Sequence, residues 1–149
     1  MKKIIILLMA GFFFFSCVKE SSAPEPVAEH VLIGNLFYDL YEDNTAEVVK
    51  DDSYYDSLSG ELTFPSTVNY NGEEYSVTRI GDRAFSCDII SEDCPTITSV
   101  SLPNSVTSIG IAAFYGCTGL KSVILPQQSI KIADDAFKNC PNLQITYAD

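Results

Sequence analysis

The chain has 149 residues, 46% of them hydrophobic, with 20 acidic against 9 basic side chains and a net charge of −11. That length suits one domain with a tail and excludes two full ones. The acid excess excludes nucleic acid and anionic lipid headgroups as partners, because both need clustered Lys and Arg. The charge is also uneven. Residues 18–93 carry 17 acids and 4 bases, a net of −13, whereas residues 94–149 carry 3 of each. Acidity of this kind keeps an exported surface soluble, and solubility is the favoured reading of it. In chain order, Lys2 and Lys3 precede Ile4–Phe15, an unbroken run of 12 apolar or glycine positions. A charged start before an apolar run this short reads as an export signal and not as a stable bilayer span.

The run ends in Phe14-Phe15-Ser16-Cys17. This resembles a bacterial lipoprotein signal, in which a small residue precedes a Cys that is acylated and becomes the mature N-terminus. The resemblance implies a signal peptide over residues 1–16 and lipidation at Cys17. An ordinary secretory signal with Cys17 as a bystander is the alternative. It weighs less, because no A-x-A-type site follows the run. Each buried CH₂ of an acyl chain contributes about 0.8 kcal/mol, so several chains anchor stably. Residues 18–29 are rich in Pro, Glu, Ser and Ala and cannot build a core, so residues 17–30 read as the lipidated Cys and a flexible tether. The Lys19-Glu20 pair looks like the short surface-export signals of some lipoproteins.

Residues 31–60 read as an N-terminal β cap. Val31–Ile33, Leu36–Tyr41 and Ala46–Val49 are rich in strand formers, and residues 42–45 read as the turn between the last two. Residues 61–149 read as a solenoid. Their signal is a period of 23: Pro103 and Pro126, Ile109 and Ile132, Ala113 and Ala136, Phe114 and Phe137, Cys117 and Cys140, Leu120 and Leu143. An earlier copy, Leu62 to Phe85, is broken by two insertions. One is a hairpin at Asn71-Gly72, a pair that favours the φ > 0 of a tight I′ turn. The other is the segment of residues 88–93 between Cys87 and Cys94.

A fixed period in the twenties means a stack of units, each too small to bury its own apolar side. The spacing predicts parallel strands with Val100, Leu102, Val123 and Leu125 inward and the Ala-Phe pairs on the opposite wall. In phase, Thr146 would point inward; we expect a register shift there that buries Ile145 and Tyr147. The runs Leu102-Pro103-Asn104-Ser105-Val106-Thr107-Ser108-Ile109-Gly110 and Ala113-Phe114-Tyr115-Gly116-Cys117-Thr118-Gly119-Leu120 resemble the BspA-like leucine-rich repeat family of bacterial surface proteins. In the third copy Ser129 stands where Val106 stands, and Ala133 replaces Gly110. The expected fold is a leucine-rich-repeat type β-solenoid of about three 23-residue repeats with an N-terminal β cap. The resemblance implies adhesion to host proteins or to other cells, as in gut and oral anaerobes.

Chemistry is sparse. No C-x-x-C pair exists and His30 is the sole histidine, so neither a zinc site nor a Cys-His or Ser-His-Asp centre is expected. Cys87 and Cys94 bracket a six-residue insertion, and the spacing predicts a disulfide between them, with Cys117 and Cys140 reduced. The acids Glu42, Asp43, Asp51, Asp52 and Asp56 lack the D-x-D-x-D-G pattern of a calcium loop and read as a solvated cap. Tyr54, Tyr55, Tyr70 and Tyr75 are a candidate aromatic patch, or equally cap strand formers. The strand face turned away from the core presents Glu61, Thr63, Ser99, Ser101, Ser122 and Ile124, a candidate binding face or an unused solvated one. The reading is a non-catalytic, lipid-tethered outer-membrane binding module with a protein or cell-surface ligand, no cofactor and no metal. An accessory envelope lipoprotein docking a larger complex, such as a glycan-uptake system, is the alternative, and an enzyme is the remote one.

Overall fold

The computed structural model describes residues 23–50, 58–87 and 94–149. The signal segment, Cys17, the acids Asp51, Asp52 and Asp56, and the tyrosines Tyr54 and Tyr55 lie outside these residues. The described residues form strands β1 (Pro26–Ile33), β2 (Leu36–Tyr41), β3 (Thr45–Val49), β4 (Ser59–Thr63), β5 (Thr67–Tyr70), β6 (Glu73–Ile80), β7 (Thr96–Ser101), β8 (Ser108–Ile109), β9 (Ser122–Leu125), β10 (Lys131–Ile132) and β11 (Gln144–Tyr147). They build two sheets. Sheet A runs β1-β2-β3-β6-β8-β10 with β5 beside β6, and sheet B runs β11-β9-β7-β4.

The repeat appears directly as strand register. Ser99 pairs Ser122 and Ser108 pairs Lys131, both 23 positions apart and both parallel. Arg79 pairs Ser108 at a separation of 29, six more than the repeat, which is the length of the insertion at residues 88–93. Leu62 pairs Val100 at a separation of 38. The further nine residues are the hairpin, whose Tyr70 pairs Glu73 antiparallel around Asn71 and Gly72, at φ 52° and 89°. The parallel register resumes after both insertions, so neither breaks the stack.

Alternation along each strand decides which side chains enter the core. Leu62, Val100 and Val123 form one buried row, with Leu102 and Leu125 buried behind them. On the far wall the rings of Phe85 and Phe114 stack at 5.1 Å between centroids, and those of Phe114 and Phe137 at 5.3 Å. Phe64 meets Phe85 edge-on at 5.7 Å. Offset-stacked and edge-on pairs are the favoured aromatic contacts. Close rungs also explain a glycine. A Cβ on Gly110 would lie 2.8 Å from the backbone N of Asp82 in the preceding rung. The Asp82 Oδ1 there accepts a hydrogen bond from the Ile111 amide at 2.7 Å.

One boundary and one burial expectation differ from the sequence reading. Residues 26–30, read as tether, belong to β1, which pairs antiparallel with β2 through two register shifts. Backbone pairing holds most of this segment, with Ala28 alone of residues 26–30 packed against the core, so its Pro- and Glu-rich composition hid it. At the other end, Ile145 pairs Val123 and Tyr147 pairs Leu125, a separation of 22. The expected register shift is present and turns both residues to the core side. They are nevertheless 45% and 65% exposed. Burial in a stack needs a rung above as well as one below.

Candidate functional site

Parallel pairing aligns equivalent residues into rows across a sheet. On the outer face of sheet B, Glu61 pairs Ser99 and Ser99 pairs Ser122; one step on, Thr63 pairs Ser101 and Ser101 pairs Ile124. The six residues read from the sequence therefore share one face in two rows, with strands about 4.8 Å apart. Glu61, Thr63 and Ile124 are exposed, and the three serines are half-buried between neighbours. The register extends the rows to Gln144 beside Ser122 and Thr146 beside Ile124. The sequence reading did not name these two, although the register shift it expected turns them to this face. Among the described residues of these two rows Glu61 is the one ionisable side chain, so the face they form is hydroxyl-rich.

The outer face of sheet A is different and was not singled out from the sequence. Asp39, Glu47, Arg79, Ser108 and Lys131 pair in turn across five strands. Like charges on Asp39 and Glu47 stand directly opposite, a destabilising arrangement unless neutralised. Arg79 supplies the neutralisation, with its Nε 3.1 Å from Glu47 Oε2 and its guanidinium 4.6 Å from the Tyr41 ring centroid. Tyr41 donates its hydroxyl to the same Oε2 at 3.2 Å. Burial and the Glu47 charge push the Tyr41 phenol above its ordinary range. His30 lies 3.6 Å from Asp39 Oδ1 and is exposed, at the edge of the sheet. Glu47, Arg79 and Tyr41 are thereby linked in one cluster.

The candidate aromatic patch does not assemble among the described residues. Tyr75 is 8% exposed and belongs to the core, and Tyr70 is half-buried against it. Alternation in β6 sends Tyr75 to the same side as Val77, which sequence composition alone did not weigh. Cys87 and Cys94 are joined in a disulfide with their Cα atoms 5.4 Å apart, and Cys117 and Cys140 are free thiols. The Cys117 Sγ donates to the Phe85 carbonyl at 3.2 Å and the Cys140 Sγ to the Phe114 carbonyl at 3.1 Å. Burial pushes the Cys117 thiol up to about 12 and raises Cys140 as well. Such thiols are packing groups and not nucleophiles. Among the described residues no three His, Cys, Asp or Glu side chains converge as metal ligands.

The fold, the repeat and this pair of faces define a leucine-rich repeat protein. Residues 78–148 match the model of the BspA type leucine rich repeat region in six copies. Among solved structures, the chain is 31% identical to a leucine rich cell surface protein from Faecalibacterium prausnitzii, with a TM-score of 0.62 over 85% of this chain and 32% of the other. A leucine-rich repeat protein from Bacteroides capillosus is 26% identical with a TM-score of 0.57, over 82% of this chain and 100% of the other. One from Bacteroides ovatus, at 21% identity and a TM-score of 0.53, covers 78% of this chain and 37% of its own length and shares the fold. The chain thus spans about a third of the first and third of these proteins. No protein of curated function matches the chain.

Proposed function

We propose that this protein is a non-catalytic binding module held at the bacterial cell surface by a lipid on Cys17. Its ligand-facing surface is the outer face of sheet B, and its partner is a protein or another cell-surface molecule. The observation that carries the reading is the alignment of Glu61, Ser99, Ser122 and Thr63, Ser101, Ile124 into two rows on one flat face. Small side chains there lose little conformational entropy on contact. A standard protein interface takes about 800 Å² per partner, so most of the face would be engaged at once. Affinity per copy is modest, and an array on a membrane adds avidity through effective concentration. The cell-surface description of the Faecalibacterium protein and the export signal support the location.

The test is protease shaving of intact cells that express the full chain. The reading expects release of the repeat domain into the medium. It also expects loss of acyl labelling and of membrane retention in the Cys17→Ser variant. A domain protected from protease until the cells are lysed overturns the surface role.

A further inference from the structure

We propose that β1 is a force-released extension of the tether, which peels from sheet A under load while the repeats stay folded. This role rests on the lipid anchor proposed at Cys17, because a chain held there and gripped by a ligand elsewhere carries its load through β1. The chain enters the domain where peeling is easiest. β1 and β2 form an antiparallel hairpin with Ile33 paired to Leu36 at its turn and Pro26 paired to Tyr41 at its open end. The Glu42 amide donates to the Glu25 carbonyl at 3.1 Å beside that open end. A pull from residue 25 therefore breaks the cross-strand bonds one after another, where a pull along paired strands would load them all together.

Little besides these bonds holds the strand. No residue of β1 is fully buried, and only Ala28, Val31 and Ile33 pack partly against the core. Register shifts interrupt the ladder between Pro26 and Ala28 and between Ala28 and Val31. Within the second, His30 sits at φ 52°, a conformation that side chains other than glycine rarely adopt, and release relieves it. Few buried apolar contacts mark an element that opens ahead of the rest. The next strand stops the peeling. Once β1 has left, the load reaches Leu36, and any further opening must draw Leu36, Tyr38 and Leu40 out of the core. All three are at most 4% exposed. Returning that apolar surface to water opposes the pull far more than the bonds of β1 do. Release therefore ends after residues 26–35, ten in all, which add on the order of 35 Å of chain to the tether. A ligand-bound copy gains slack in place of losing its partner, and the outer face of sheet B is undisturbed.

Stretching the full chain in optical tweezers, with handles at residue 17 and at the C-terminus, tests this. The expected first event is a reversible lengthening on the order of 35 Å, at a force below that at which the repeats open. Moving the first handle to the exposed position 42, in the Glu42→Cys variant, leaves β1 unloaded. That variant is expected to lose the first event and to keep the later ones. Three results overturn the proposal. One is a chain that shows no lengthening before the repeats open. Another is a first event that survives with the handle at position 42. The third is a first event long enough to include β2 and β3. The tweezers supply the load themselves, so a Cys17 without acyl groups leaves this result unchanged. Absence of the event likewise leaves the shaving result standing.

Discussion

Phe114 and Phe137 occupy the same place in consecutive repeats and differ only in what lies above them. Phe114 is covered on both sides, by Phe85 and by Phe137, and is fully buried. Phe137 has a ring below it and is half-buried. The same holds for Ile109 against Ile132 and for Cys117 against Cys140. A repeat unit supplies the apolar side chain, and its neighbours supply the burial.

The sharpest way to break this comparison is to truncate both rings. Phe114→Ala is expected to cost about 3–5 kcal/mol, as for a sealed core aromatic. Phe137→Ala is expected to cost roughly half that, because part of its surface already meets water. Urea denaturation of the two variants reads the difference, and equal losses would remove the distinction between inner and last rungs.

The glycine in the turn sharpens it further. Gly110→Ala places a methyl group against the Asp82 backbone and is expected to cost about 1–3 kcal/mol. Ala133, its counterpart in the last copy, is tolerated with a methyl already in place. Thermal denaturation of Gly110→Ala that matches the parent would show that the rungs are less closely stacked.

Alkaline pH compares the thiols. Burial raises Cys117 from 9.0 to about 12 and Tyr38 from 10.0 to about 12 in the folded chain. A raised folded value means that the unfolded chain loses its proton first as pH rises. The stability from these groups is thus complete below about pH 9 and declines as pH climbs toward 12. Titration with a thiol reagent above pH 9 is expected to modify Cys140 before Cys117. The reverse order would contradict the burial gradient along the stack.

The smallest effect on stability is expected on the outer face of sheet B. Ser101→Arg replaces a small side chain in the middle of a row and is expected to change stability by less than about 0.5 kcal/mol. Ligand capture by the intact cell should fall sharply, because the longer side chain holds a partner off the flat surface. Undiminished capture would move the binding surface elsewhere.

Most of the solenoid was legible because a period of 23 survives in residues whose environment repeats. Val100 and Val123, or Ala113 and Ala136, must be alike because the same walls surround them. The two insertions were legible for the same reason, since the repeated positions resume after each of them. Features without a repeated environment were hidden. Pairing of β1 from Pro26 rests on backbone hydrogen bonds, which composition does not record. The charged row from Asp39 to Lys131 crosses five strands and has no signature in any one of them. Tyr75 read equally as a patch or a strand residue, and strand alternation decides it by placing it on the same side as Val77. At the C-terminal strand the shift of one residue was legible from the apolar pair Ile145 and Tyr147, whereas their exposure was not, because burial depends on a neighbouring rung.

The account rests on one ring per repeat stacked in a single column, and a double-mutant cycle measures that directly. Alanine substitutions at Phe114 and Phe137 are expected to couple by about 0.5–1.5 kcal/mol, the range for stacked aromatic neighbours. Phe85 and Phe137, separated by the ring of Phe114, are expected to add within about 0.5 kcal/mol. Coupling between the separated pair as large as between the neighbours, or none between the neighbours, would contradict the stacked arrangement.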